Sequence, residues 1–530
     1  MNAAPEPLPN DVAALRAMLA AAWAERDAER AEKAQLAAEC DQLTSQNDRL
    51  RHLIRQLQRL RFGRRSEKLD PDQLALALED VEQAVAEIEA QQEKADPAVK
   101  RARAETRRAG RGSLPEHLPR VEIVIEPEST ACRCCGGAMR VIGEDRSSRL
   151  DVIPAQYRVL ITRRPKYACR TCQEGVVQAA APARLIAGGL PTERLVAQVL
   201  VAKYADHCPL YRQSQILARQ GIAIDRATLA FWVGYAAAEV KPLWRLMREE
   251  VLRSTKLFVD ETRAPVLDPG RGRTKTGYFW VLARDDRPWR GRAPPAVVYS
   301  YAPGRGSEHA IALLQGYTGV LQTDAYAAYG KLADPKRVGG PVTLAYCWAH
   351  WRRQWFDIAR SPPAPIAAEV LQRIAELYRI EAEIRGEEAD ARRAVRQQKS
   401  KPLIDALKSW LEEMLRQVPS GSSIAQAIRY GFNQWDGLLR FLDDGRIEID
   451  SNTVERSMRP VALNRKNALF AGSDEGAENW AMLASLIETC KLHGINPHAY
   501  LTDVLTKLVN NWPNRRLGEL LPWAWTTEAS

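Results

Sequence analysis

Beyond residue 255 the chain leaves its helical repeat and breaks into short apolar runs. Five of them, at 257–260, 278–283, 296–301, 320–323 and 342–346, read as strands. A helical stretch at 307–315 separates the third from the fourth, and another helix begins near Trp348. Two of the runs end on an acid. The first is Lys256-Leu-Phe-Val-Asp260 and the fourth is Gly319-Val-Leu-Gln-Thr-Asp324.

Three strands, a helix, a strand, then strand and helix is the order of a ribonuclease-H-like α/β core. There the first and fourth strands are neighbours, so Asp260 and Asp324 are expected side by side at one sheet end. A third acid, Glu455, lies in Asp450-Ser-Asn-Thr-Val-Glu455-Arg-Ser-Met-Arg459-Pro, which reads as a helix start. Mg²⁺ prefers oxygen ligands. Two such ions about 3.5–4 Å apart activate an attacking oxygen and stabilise a leaving one in phosphodiester chemistry. Each acid alone has an ordinary explanation. Asp260 beside Glu261 can be a simple strand-end acid, and Asp324 can cap the following helix. Glu455 can pair with Arg459 at i+4, which is worth about 0.2–0.5 kcal/mol. Only the joint pattern points to metal.

Between Asp324 and Glu455 lie too many residues for a simple crossover (455 − 324 = 131). Charged helical pattern at 366–384 and 402–417 reads as an inserted helical subdomain over about 362–445. Arg456, Arg459, Arg465 and Lys466 crowd the Glu455 helix and its exit, as candidate phosphate contacts. Cys347-Trp-Ala-His350 invites a metal reading, but one C-x-x-H has too few ligands. His350 can still lie near the site.

The first half of the chain is modular. Leu36, Leu43, Leu50 and Leu57 recur every seven residues, with Cys40, Asn47 and Ile54 at the matching a positions. This seam predicts a short coiled coil, and Asn47 favours a parallel dimer. The alternative is one amphipathic helix packed on its own protein. Between Lys100 and Arg120, seven Lys or Arg face two Glu, which reads as a flexible basic linker.

Cys132 and Cys135, then Cys169 and Cys172, form two C-x-x-C knuckles 34 positions apart (169 − 135). A strand-like stretch at 157–163 lies between them, and another at 121–125 precedes the first. Four thiolates make a closed, structural Zn²⁺ site. Residues 192–250 look helical. A helix from Leu210 to Gly221, a short turn, and a helix capped by Asp225 give a helix-turn-helix-like arrangement. Many helical hairpins share that arrangement without touching DNA.

A net charge of +10 with clustered Lys and Arg favours a polyanionic partner. Nine cysteines in 530 residues argue against a disulfide scaffold. The chain shows neither an 18-residue apolar run nor a signal-peptide pattern, so no membrane partner and a cytoplasmic location are expected.

Together these segments resemble the insertion-sequence-66 family of transposases, DDE recombinases of bacterial elements. The residues that carry the resemblance include Phe62-Gly-Arg-Arg-Ser-Glu-Lys68, both cysteine knuckles, Val259-Asp-Glu-Thr262 and Gln322-Thr-Asp-Ala-Tyr326. Further on they are Cys347-Trp-Ala-His-Trp-Arg-Arg353, Asn452-Thr-Val-Glu-Arg-Ser-Met-Arg-Pro460 and Arg465-Lys-Asn-Ala-Leu-Phe-Ala-Gly-Ser473. The resemblance implies Asp260, Asp324 and Glu455 as a catalytic triad for two Mg²⁺ ions, with Mn²⁺ possible. It implies binding of terminal inverted repeats, metal-dependent cleavage of DNA ends, and transfer of the freed 3′-OH to double-stranded target DNA. It also suggests two small accessory proteins of the same element and an association with the nucleoid.

The expected fold is multidomain α+β. Its parts are a coiled-coil region (1–95), a basic linker (96–120), a zinc-binding domain (121–185) and a helical DNA-binding region (186–250). A ribonuclease-H-like DDE core (251–475) and a helical C-terminal extension (476–530) follow. Two other classes stay open: a catalytically decayed DNA-binding regulator, and a structure-selective nuclease.

Overall fold

The structure is a computed structural model that describes residues 11–62, 96–109, 156–168, 176–268, 273–361 and 363–526, without the side chains of 38–62, 107–109, 168 and 176–177. It divides into two units, Met1–Ile161 and Thr162–Ser530.

The first unit contains α1 (Val12–Phe62), a single 51-residue helix. At 1.5 Å per residue it is roughly 75 Å long. Val12, Leu15, Leu19 and Trp23 are exposed at helical spacing along it, and so is Leu36. The other seam leucines lie in the helix, but their side chains fall outside the described residues. The segment expected as a flexible linker opens instead with α2 (Pro97–Ala109). The Asp96 carboxylate accepts from the backbone N–H of Ala98 at 2.7 Å and caps it. Its Ala, Arg and Lys are strong helix formers, and their propensity outweighs the charge run.

In the second unit, β1 (Lys166–Ala168) pairs antiparallel with β2 (Val176–Gln178). These two strands, rather than 157–163, carry the local ladder; 157–163 is not assigned to a strand. All four expected zinc ligands lie outside the described residues.

Three helices follow: α3 (Glu193–Tyr204), α4 (Leu210–Arg219) and α5 (Arg226–Leu252). Gly221, just past the end of α4, has φ +76°, where a Cβ is strained. Asp225 caps α5 by accepting from Thr228 N at 2.6 Å. The α5 helix runs on to Leu252, because Leu229, Trp232, Val233, Ala236, Val240, Leu243 and Met247 continue one buried face.

The five expected strands form one sheet. They are β3 (Lys256–Asp268), β4 (Arg273–Arg284), β5 (Ala296–Ala302), β6 (Val320–Thr323) and β7 (Thr343–Tyr346). Helix α6 (Ser307–Leu313) sits between β5 and β6 in sequence. The sheet order is β5-β4-β3-β6-β7, with β6 parallel to both of its neighbours. The first six residues of β3 are all buried, as expected for a central strand covered on both faces.

Asp260 is not at the end of β3. The β6 partner stops at Gln322, but β3 runs on against β4 to Asp268. Its far half contains Pro265, whose carbonyl accepts from Ala471 N at 2.9 Å on the side away from β4. Amide and carbonyl of one strand residue point the same way, so the missing N–H of Pro265 costs no ladder bond.

After β7 comes α7 (Trp348–Ala359), and then the insertion: α8 (Pro365–Glu383), α9 (Ala389–Val395), α10 (Lys401–Gln417), α11 (Ser423–Asn433) and α12 (Trp435–Asp443). Its core is aromatic. Trp348, Trp351, Trp355 and Trp435 pack with ring centroids 5.4–6.4 Å apart. A Cβ on Gly431 would lie 2.4 Å from the Trp351 ring, so α11 approaches only because that residue is glycine.

Helices α13 (Asn452–Ala468), α14 (Asp474–Leu492) and α15 (Pro497–Val509) complete the chain. The expected C-terminal extension is continuous with the sheet. In α14, Ser485 Oγ accepts from Tyr299 N at 2.9 Å and Thr489 Oγ1 accepts from Val297 N at 3.1 Å, both on β5.

The insertion also buries ions. Arg396 is fully buried and grips Glu381 through Nε at 2.8 Å and Nη2 at 2.6 Å. Removing one partner leaves an uncompensated buried charge, whereas replacing both by apolar groups is often neutral. Glu381→Ala should therefore cost about 3–5 kcal/mol, and Glu381→Leu with Arg396→Met far less. Urea unfolding followed by tryptophan fluorescence checks this; equal losses for the single and double variants would contradict it.

Candidate metal centre

The parallel pairing of β3 with β6 sets the site. Phe258 lies opposite Gln322, and the same register two residues on puts Asp260 level with Asp324 (322 − 258 = 324 − 260). Asp260 is buried, and its Oδ1 accepts from Glu261 N at 2.7 Å. Asp324 follows the last residue of β6, and its Oδ1 accepts from Tyr326 N at 2.9 Å. The residue between them, Ala325, has φ +69°, a strained conformation for a residue with a side chain.

Glu455 stands in the first turn of α13. Its Oε1 is buried without a hydrogen-bond partner among the described residues. His350 Nδ1 lies 3.8 Å from Oε1, and Arg353 Nη2 lies 3.8 Å from Oε2. Cys347, His350 and Glu455 bring their ligand atoms within 4.8 Å of one another.

Electrostatics tie the three acids together. Burial holds the Asp260 carboxyl well above the usual carboxylate range, and the charges of Asp324, Glu261 and Glu455 raise it further. Burial lowers His350, while the charges of Glu455 and Asp324 pull it back up. Asp324 and Glu455 thus act on both Asp260 and His350. The donor set, carboxylates with one orphaned buried oxygen, suits a hard divalent cation. Glu261 is different. It is the buried acid next to Asp260, but Arg305 and Tyr329 already bond it.

The basic residues divide. Arg465 Nη1 donates to the Arg263 carbonyl at 2.6 Å and docks the end of α13 on β3. Arg456 and Lys466 are exposed, and Arg459 is half-buried. By sequence, Cys347-Trp-Ala-His350 had too few ligands, although His350 could lie near the site; the acid that the fold brings beside them is Glu455, over a hundred residues away in the chain (455 − 350 = 105).

The helical hairpin of α4 and α5 and the five-stranded mixed sheet are the frame in which these acids sit. Residues 188–479 match the family described as "Transposase IS66 family". Residues 49–123 match "Transposase C of IS166 homeodomain", 129–173 match "zinc-finger binding domain of transposase IS66", and 485–523 match "IS66 C-terminal element". Two relatives come from Sinorhizobium fredii (strain NBRC 101917 / NGR234). Uncharacterized protein y4qI is 43% identical over 98% of each chain. Uncharacterized protein y4jD is 45% identical over 93% of this chain and 98% of its own. The chain belongs to the IS66 family of transposases. Among the described residues, no helix is long and apolar enough to cross a membrane.

An acid whose folded pKa is raised favours folding at low pH and loses that contribution as pH rises through the folded value. Asp260→Asn should therefore melt at or above the wild type without metal at pH 8, and the difference should shrink toward pH 5. It should also lose the rise in melting temperature that Mn²⁺ gives the wild type. Identical Mn²⁺-induced shifts in both proteins, read by calorimetry, would contradict the metal centre.

Proposed function

We propose that this chain binds the terminal inverted repeats of its element, cleaves the DNA ends, and joins the freed 3′-OH to target DNA. Asp260, Asp324 and Glu455 are the catalytic carboxylates in this reading. The observation that carries it is the β3–β6 register, which continued two residues puts Asp260 level with Asp324 where β6 ends, with Glu455 Oε1 on α13 buried and unbonded among the described residues. The sheet order, with the first strand central and beside the fourth, supports a ribonuclease-H-like core.

Two Mg²⁺ ions, or Mn²⁺ in their place, held by these carboxylates would supply Lewis-acid activation of an attacking oxygen and stabilise the leaving one. The chain's own residues do the placing. Central strand β3 fixes Asp260, the turn at Ala325 fixes Asp324, and α13 delivers Glu455. Exposed Arg456 and Lys466, with Arg459 and the free edge of Arg465, line one helix and would hold phosphates.

The helices α3–α5 would read the ends. Arg226, Phe231 and Tyr235 are exposed on α5 just after its cap, where a recognition helix meets a groove. Cys132, Cys135, Cys169 and Cys172 would bind one structural Zn²⁺, and the long α1 would pair two copies of the chain. The parts laid out from the sequence, with a helix opening the basic segment and the C-terminal helices joined to the core, would work with two small accessory proteins of the same element, in the cytoplasm at the nucleoid.

Matched inverted repeats flanking the reading frame would supply the substrate. On a supercoiled plasmid carrying those repeats, we expect divalent-dependent cleavage. Asp260→Asn, Asp324→Asn and Glu455→Gln should each lower it about 10²–10³-fold or more, matching several kcal/mol of lost charge stabilisation. A DNA-binding regulator would bind the ends without cutting them. A structure-selective nuclease would prefer a four-way junction to the repeats. The zinc module has its own measurement: elemental analysis should find one Zn²⁺ per chain, lost in Cys169→Ala. A zinc-free wild type would refute that assignment.

A further inference from the structure

We propose that His350, through Nδ1, is a ligand of the divalent ion held by Glu455, giving that half of the centre a nitrogen donor and a preference for Mn²⁺ over Mg²⁺. The inference rests on the reading of the three carboxylates as metal ligands, and goes beyond it.

Two buried polar atoms face each other here with nothing to bond. Neither His350 Nδ1 nor Glu455 Oε1 has a hydrogen-bond partner among the described residues, and they lie 3.8 Å apart. That is too far for a direct hydrogen bond and too close to admit another protein group between them. An unsatisfied buried polar atom costs about 1–3 kcal/mol, and folded proteins leave few of them. One cation between nitrogen and oxygen satisfies both.

The neighbours define what kind of site this is. The Cys347 sulfur accepts from Ser451 N at 3.2 Å, so it is committed to the backbone. That leaves one imidazole and one carboxylate, an open set rather than a closed structural one. Arg353 stands 3.8 Å from the other Glu455 oxygen and favours Oε1 as the inward donor. Mn²⁺ accepts an imidazole nitrogen more readily than Mg²⁺, the harder ion, which keeps to oxygen ligands and its own waters. Adding His350 to Glu455 therefore shifts the preference toward Mn²⁺.

The test uses the untagged full chain and Mn²⁺ alone, read by pulsed electron paramagnetic resonance. The wild type should show imidazole ¹⁴N coupling to bound Mn²⁺. The coupling should vanish in His350→Gln and survive in Cys347→Ser. Mn²⁺ affinity should fall about 10–100-fold in His350→Gln, while Mg²⁺ affinity changes less. Unchanged zinc content and circular dichroism would show that the variant is folded. Mn²⁺ bound in an Asp260-dependent way without nitrogen coupling would overturn the role of His350 and leave the carboxylate reading intact; a bridging water would then fill the gap. Coupling that persists in His350→Gln would assign it to another histidine and also overturn the proposal. Mn²⁺ binding indifferent to Asp260→Asn, with no coupling, would overturn both.

Discussion

Carboxylates gathered around a buried one repel one another, and the scaffold must hold them against that repulsion. Low local dielectric makes the repulsion larger than it would be in water. The burden falls on the β3–β6 pair, which fixes the level of Asp260 and Asp324 through backbone bonds rather than through side-chain rotamers. Each aspartate then accepts one backbone N–H, from Glu261 and from Tyr326. These bonds partly offset the charge and orient one oxygen of each carboxylate. The positive φ of Ala325 is strain stored beside one of them, as functional sites often store it. Bonds of this kind would organise the proposed metal centre before a cation arrived.

The insertion contributes to the same rigidity. Glu448, just beyond α12, pairs with Arg392 at 2.7 Å and with Arg385 at 3.2 Å. Its backbone N–H donates to Gln322 Oε1, while Gln322 Nε2 donates to the carbonyls of Glu448 and Asp450. Gln322 is two residues before Asp324. A single β6 side chain thus ties the strand that carries one acid to the segment that leads to another. Lys256 opens β3 from the same buried region. Burial pushes its amine down to about 8, against the upward pull of Glu448 and Asp286.

The five strands were legible because β-branched and aromatic runs between turn residues carry their own signal. Asp225 was legible as a cap for the same local reason. The full length of β3 was not, since Arg263, Pro265 and Asp268 read as a strand's end; pairing with β4 and with Ala471 overrides that. Helix α2 hid behind its charge, although its composition favours a helix. Arg465 read as a phosphate contact by charge, and the Arg263 carbonyl that one of its nitrogens bonds is visible only in three dimensions. The approach of His350 to Glu455 was unreadable because Glu455 arrives after a long excursion of the chain.

That excursion explains how a large insertion and a fixed centre coexist. The chain leaves β7 at Cys347 and returns at Ser451, 104 positions later (451 − 347). The two points are bonded: Trp348 N donates to the Ile449 carbonyl at 3.1 Å, and Ser451 N donates to the Cys347 sulfur at 3.2 Å. Helices α7 and α13 therefore start from one junction, and their first turns bring His350 and Glu455 together. Closing a longer loop costs only a little more entropy for each doubling of length. The helices between the two points can thus vary in length without moving Glu455, provided that the junction and the Gln322 clamp stay intact. The geometry of the centre is set at the neck of the insertion, not by its body.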